Sequence, residues 1–259
     1  MSISMTDIRS GYDRFRLNGI TAEIQQGSLT ALIGPNGCGK STLLKTIARH
    51  LNPGGGRVMI AGRDIARMRP RDIAKVIAVM PQQPIVPGQI TVDRLVGYGR
   101  APHQNFLGFV TAKDRLMIDA ALETVGLREL RHDPVANLSG GQRQRAFIAM
   151  CIAQDTPYVL FDEPTSFLDI RYQYDVLELL KQLQQSGKTV VAVLHDIAQA
   201  ARYATDLLVL KDSNLAHIGN PAEVVTADMV SQVYDLKAHV YPDPVTGTNV
   251  ISPKTRMAN

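Results

Sequence analysis

Short apolar runs alternate with amphipathic stretches along this chain. The runs at 28–33, 76–80, 158–161, 190–194 and 207–210 are rich in Val, Ile or Leu and too short for buried helices, so they read as strands covered on both faces. Helical spacing follows at 40–50, 171–185 and 197–203; in the second of these, Tyr174, Leu177 and Leu180 recur on one face. Strands alternating with helices predict an α/β domain with a mostly parallel sheet. The middle, 84–155, breaks that rhythm. Thr111-Ala-Lys-Asp114 has the form of a capping box with Asp in the Glu position, opening a helix that ends near Gly126. A further helix is predicted from just after Ser139 through Arg145, Ile148 and Ile152. A mainly helical insertion in an α/β core is therefore expected. After about 220 come a short helical stretch and a tail containing Pro and Gly, with no internal repeat or low-complexity segment.

Composition changes this picture little. The 259 residues are 45% apolar and 20% charged, with a net charge of +4. Lys and Arg are scattered, which fits a solvated surface better than a nucleic-acid groove, so no nucleic-acid partner is expected. No run approaches the ~18 consecutive apolar residues of a membrane span. Residues 1–5 lack the basic and apolar regions of a signal peptide. Together these predict a soluble, cytoplasmic chain. Cys38 and Cys151 make neither a disulfide framework nor a metal cluster, and the histidines other than His195 lack metal-ligand spacing.

Chemistry enters with Gly34, Pro35, Asn36, Gly37, Cys38, Gly39, Lys40 and Ser41, which satisfy the Walker A pattern of Gly, four residues, then Gly-Lys-Ser. An apolar strand precedes it and a helix-compatible run follows, as a phosphate cradle requires. Glycines bring the backbone close to phosphate oxygens, successive N–H groups form an anion nest, and the helix start adds partial positive charge. Lys40 can reach the β- and γ-phosphates of ATP, Ser41 can ligate Mg²⁺, and Thr42 is expected to assist at the α-phosphate. Tyr158-Val-Leu-Phe161-Asp162-Glu163 is an apolar strand ending in two carboxylates, a Walker B arrangement. Asp162 would hold Mg²⁺ directly or through water, and Glu163 would act as general base or orient the attacking water.

The string Leu138-Ser139-Gly140-Gly141-Gln142-Arg143-Gln144-Arg145 resembles the signature sequence of ABC ATPases. A hydroxyl and bare N–H groups at a helix start repeat the anion-binding device of the cradle. The resemblance implies a P-loop (RecA-like) core with a mostly parallel sheet, an antiparallel N-terminal β-subdomain and an inserted helical subdomain. It further implies ATP hydrolysis in a head-to-tail dimer, where Ser139, Gly140, Gly141 and Gln142 face the γ-phosphate held by a second copy of the chain. Other positions then fall into register. Tyr12 matches the aromatic residue that stacks on adenine, against the alternative of an ordinary core tyrosine. Gln82 matches a glutamine that contacts Mg²⁺ and water, with Gln83 adjacent. His195 matches the switch histidine at the γ-phosphate, and Ser166-Phe-Leu-Asp169 the loop along the dimer interface, where Phe167 departs from the commoner Ala.

One cassette, with no heptad run and no fused membrane domain, is similar to importer ATPases rather than to DNA-repair or translation-associated relatives. Segments 91–102, 153–155, 193–197, 200–203 and 219–224, with Val233-Tyr234 after them, resemble the subfamily serving ferric siderophores, with haem and vitamin B12 as alternatives. The implied division is a single ABC domain with its core at about 1–84 and 156–225, a helical subdomain at 85–155 and a C-terminal extension at 226–259. The implied partners are a second copy, two transmembrane permease subunits and, indirectly, a solute-binding protein, at the cytoplasmic face of the bacterial inner membrane.

Overall fold

The computed structural model describes residues 2–12, 15–83, 88–104 and 109–254. The expected start of the helical insertion, at 84–85, and the end of the C-terminal extension, at 255–259, lie outside the described residues. The chain forms two compact units, one of residues 1–67 with 189–259 and one of residues 68–188.

In the first unit, Leu29–Ile33 lies between Thr189–Val193 and Asp206–Lys211, parallel to both. All five residues of Leu29–Ile33 and of Thr189–Val193 are buried, which is why those runs carry no polar alternation. Asn214–Gly219 closes this edge antiparallel. A separate antiparallel sheet takes the order Ile20–Ile24, Ile3–Arg9, Gly55–Ile60, Arg63–Asp64, burying Ile3, Met5, Ile8, Ile24 and Val58. This is the antiparallel N-terminal sheet that the family resemblance implied. The helix Lys40–Ile47 stops short of the expected His50. Arg49 turns left-handed (φ +54°), and the N–H groups of His50 and Leu51 both double back onto the Lys45 carbonyl.

The C-terminal tail is more ordered than its sequence reads. Helices Pro221–Val224 and Ala227–Tyr234 lead into a hairpin of Ala238–Pro242 with Asn249–Pro253. Asp243 closes the turn by accepting from the Val245 and Thr246 N–H groups, while Asn249 Nδ2 donates to the Ala222 and Val225 carbonyls.

The second unit pairs Ile77–Met80 with Tyr158–Phe161 in parallel. Its longer helices are Val92–Gly97, Ala112–Thr124, Gly140–Ala153 and Ile170–Gln185. The first three share a core that includes Val92, Leu95, Leu122 and Phe147, as the helical insertion predicts. Thr111 and Asp114 form the expected capping box. Asp114 also meets Arg100 at 2.8 Å in an ion pair whose side chains are 4% and 3% exposed. Arg100 donates in turn to the Ala153 carbonyl at 2.7 Å, so one charge pair joins three segments. Burial pulls the Asp114 pKa upward, but the Thr111 backbone donor and the Arg100 guanidinium outweigh it and hold the carboxyl at about 2. Among the described residues, no helix is long and apolar enough to cross a membrane.

Candidate active site

The phosphate cradle follows Leu29–Ile33, whose burial drives the chain straight to the C-terminal edge of the parallel strands. Gly39 caps the helix Lys40–Ile47 with left-handed backbone (φ +109°), and a Cβ there would lie 2.5 Å from Leu17 Cδ2 and 2.9 Å from Phe15 Cζ. Only glycine fits. No side chain caps this helix, so its first N–H groups are presented to whatever sits in the turn. Lys40 is 5% exposed, and its Nζ donates to the Gly34 and Pro35 carbonyls at 2.7 and 2.9 Å. Cys38 Sγ lies 3.9 Å from the same ammonium; burial pushes the Cys38 thiol up, partly opposed by Lys40. Ser41 and Thr42 are half-buried in the first helical turn, while Asn36 and Gly37 are exposed at the tip of the loop.

His195 reaches the same edge. Leu194 N donates to Leu32 O at 3.1 Å, extending the ladder in which Val193 is level with Leu32, so His195 leaves its strand beside the start of the cradle. Asp196 then caps Ile197–Tyr203, accepting from the Ala198 and Gln199 N–H groups at 2.8 and 3.0 Å. Tyr12 is 54% exposed on a two-residue strand paired with Phe15–Arg16, which excludes the core-tyrosine alternative. Tyr234 was matched by sequence without a role. Its hydroxyl is buried, and its pKa is pushed up by burial and by the nearby Cys38 thiol, partly opposed by the Gly34 backbone.

In the second unit, Asp162 N donates to Met80 O at 3.0 Å, and Met80 is level with Phe161. Gln82, Asp162 and Glu163 therefore all leave the C-terminal ends of one parallel pair. Asp162 is 2% exposed, Glu163 half-buried, and Gln82 and Gln83 both exposed. Ser139 opens the signature helix with a complete capping box: its hydroxyl accepts from Gln142 N at 3.3 Å, and Gln142 Oε1 accepts from Ser139 N at 3.0 Å. Gly140 faces open space, whereas a Cβ on Gly141 would sit 2.8 Å from Tyr172 Cγ. Tyr172, which packs against this helix, has no pattern of its own in the sequence.

Each unit, taken by itself, carries groups that suit a magnesium nucleotide. The uncapped helix start and the buried ammonium suit a polyphosphate, and the Ser41 hydroxyl and Asp162 carboxylate are hard oxygen donors. Among the described residues, no group of three or more His, Cys, Asp or Glu could hold a metal.

An uncapped glycine-turn helix after a buried strand, a carboxylate pair after another, and a glycine-bearing signature helix define a P-loop ATPase of the ABC type. The family model for ABC transporters matches residues 17–166, and the chain belongs to that family as an ATP-binding, ATP-hydrolysing subunit. It is 43% identical over 250 residues to the ferric enterobactin transport ATP-binding protein FepC of Escherichia coli K12, covering 96% of this chain and 92% of that one. Identity is 42% over 251 residues to the iron(3+)-hydroxamate import ATP-binding protein FhuC of Bacillus subtilis 168, covering 96% and 93%. Among solved structures, an inward-facing metal-chelate type ABC transporter matches with a TM-score of 0.86 at 27% identity, covering 98% of both chains.

Proposed function

We propose that this chain binds and hydrolyses ATP to energise a bacterial importer of ferric siderophores. The observation that carries the ATP site is the helix start at Lys40, which has no side-chain cap and a buried ammonium held against its own loop. The siderophore assignment rests on the likeness to FepC and FhuC, which span nearly the whole chain.

In this reading Gly34, Pro35, Asn36, Gly37, Cys38 and Gly39 wrap the phosphates, Lys40 balances the β- and γ-phosphate charge, and Thr42 assists at the α-phosphate. Tyr12 stacks on adenine. Ser41, Asp162 and Gln82 are the residues that would hold Mg²⁺. When bound, the magnesium nucleotide supplies the transferable phosphoryl group and the charge neutralisation. Glu163 accepts the proton of the attacking water, a role worth about 10²–10⁴-fold in rate. His195 orients groups at the γ-phosphate. Ser139, Gly140, Gly141 and Gln142 serve the nucleotide of a second copy. The core at about 1–84 and 156–225 carries the catalytic edge, the helical part at 85–155 meets the permease, and 226–259 is an extension. Two permease subunits hold the dimer at the inner face of the membrane, and a solute-binding protein selects the chelate.

Glu163→Gln keeps side-chain shape and removes the basic acceptor. The purified variant is expected to bind ATP, to run as a dimer with it, and to lose at least about 100-fold in turnover. Turnover at the wild-type rate would reject Glu163 as the base. Deleting the gene is expected to abolish uptake of labelled ferric siderophores, with growth restored by iron salts. Intact iron-chelate uptake beside a lost cobalamin response would move the assignment to vitamin B12.

A further inference from the structure

Glu163 stands in a turn that its own sequence does not favour. Its backbone is left-handed (φ +54°), as is that of Phe167 (φ +63°), and neither is glycine. Such conformations persist where neighbours over-determine them. Here the neighbours are specific. Ser166 Oγ donates to Glu163 Oε2 at 2.9 Å, and Ser166 N donates to the Glu163 carbonyl at 3.3 Å. Gln173 Nε2 donates to the Leu168 carbonyl at 3.0 Å, and Asp169 caps the helix that follows. The remaining hold comes from the signature helix. Gln144 Nε2 donates to the Pro164 carbonyl, next to Glu163, at 2.6 Å. Inside Ser139's capping box, Gly141 lies under the Tyr172 ring so closely that a methyl group would not fit.

We infer that Gln144 is a positioning residue for Glu163, fixing the carboxylate by holding the Pro164 carbonyl so that the first turn of the signature helix and the base-bearing turn move together. The inference rests on Glu163 being the base. Its consequence is that whatever seats or unseats the signature helix start is reported to Glu163 through the Gln144 amide. Pro164 is buried, and a half-buried Gln144 reaches its carbonyl from one turn inside the helix. Ser166 completes the hold from the other side of the turn.

The test is a kinetic cycle on the purified full-length chain. Gln144→Leu removes the donor at similar volume and is expected to lower kcat about tenfold while KM for ATP and nucleotide affinity stay within about twofold. Gln144→Glu, which keeps the shape but cannot donate, is expected to show the same loss, and it covers the case in which the leucine variant folds poorly. Ser166→Ala is expected to lower kcat less, with Ser166→Thr restoring it, and the double variant Gln144→Leu/Ser166→Ala to fall short of the product of the single effects. In a Glu163→Gln background, Gln144→Leu is expected to slow the residual turnover no further. An equal loss in both backgrounds, or a rise in KM with kcat unchanged, would overturn the inference. Wild-type turnover in Glu163→Gln alone would instead overturn the assignment of the base, and the inference with it.

Discussion

The helix Lys40–Ile47 and the signature helix Gly140–Ala153 both begin where a glycine-bearing turn meets a helical run, yet their first turns are finished differently. Before Lys40 the capping residue is a left-handed glycine, which has no side chain to accept from the helix N–H groups. Before Gly140 a serine and a glutamine close a reciprocal box, so the helix completes itself. A self-capped start is stable without a ligand and presents a fixed surface. An uncapped start leaves its donors for an incoming anion, and the buried Lys40 supplies the charge. The first is built to bind, the second to be already in place.

Removing the charge should separate the two most sharply. Lys40→Ala is expected to weaken ATP binding by roughly 100-fold or more while the fold is kept. Titration calorimetry beside circular dichroism reads both; unchanged affinity would contradict the role of the uncapped helix. Gly141→Ala comes next. Its new methyl meets the Tyr172 ring, and overpacking of that kind costs about 1–3 kcal/mol. Turnover is expected to fall about tenfold and to recover in part when Tyr172→Ala is added, whereas Gly140→Ala, which faces open space, should fold as the parent does. Failure of the second change to rescue would show that the Tyr172 contact is incidental.

Ser139→Ala is a smaller perturbation. Losing an N-cap costs about 1 kcal/mol of helix stability, visible as faster amide exchange at 141–143 with the fold kept. The smallest contrast is between two capping boxes. The box at Thr111 ends in a carboxylate, while the one at Ser139 ends in an amide that does not titrate. The Asp114 pKa is depressed from 3.8 to about 2, so its stabilisation is present above the ordinary carboxylate range and lost as pH falls through that interval. Amide exchange at 112–115 should therefore rise between about pH 4 and pH 2 more than at 140–143. Equal acceleration at the two sites would mean that the ion pair contributes nothing local.

How much of this was legible in the sequence follows from where each feature's causes lie. The strands at 29–33 and 158–161 were readable because burial on both faces leaves a continuous apolar run. The phosphate cradle, the carboxylate pair and the signature were readable because their chemistry sits on contiguous residues. The capping box at Thr111 was readable for the same reason. The strand Ile3–Arg9 escaped the apolar pattern: its alternation is interrupted where Asp7 turns left-handed and the pairing register shifts between Met5 and Ile8. The C-terminal hairpin has no strong period and is tied down by Asn249, which bonds to carbonyls more than twenty residues away. The grip of Gln144 on Pro164 spans twenty residues, so nothing local announces it.

One consequence of the resting Lys40 concerns the heat of binding. Its ammonium is already buried and bonded to the Gly34 and Pro35 carbonyls. The cost of stripping water from that cation belongs to folding rather than to nucleotide capture. In the proposed function, phosphate arrival at Lys40 is an exchange of oxygen partners on a buried cation, carbonyl for phosphoryl. Its contribution to capture is the difference between a neutral and an anionic acceptor.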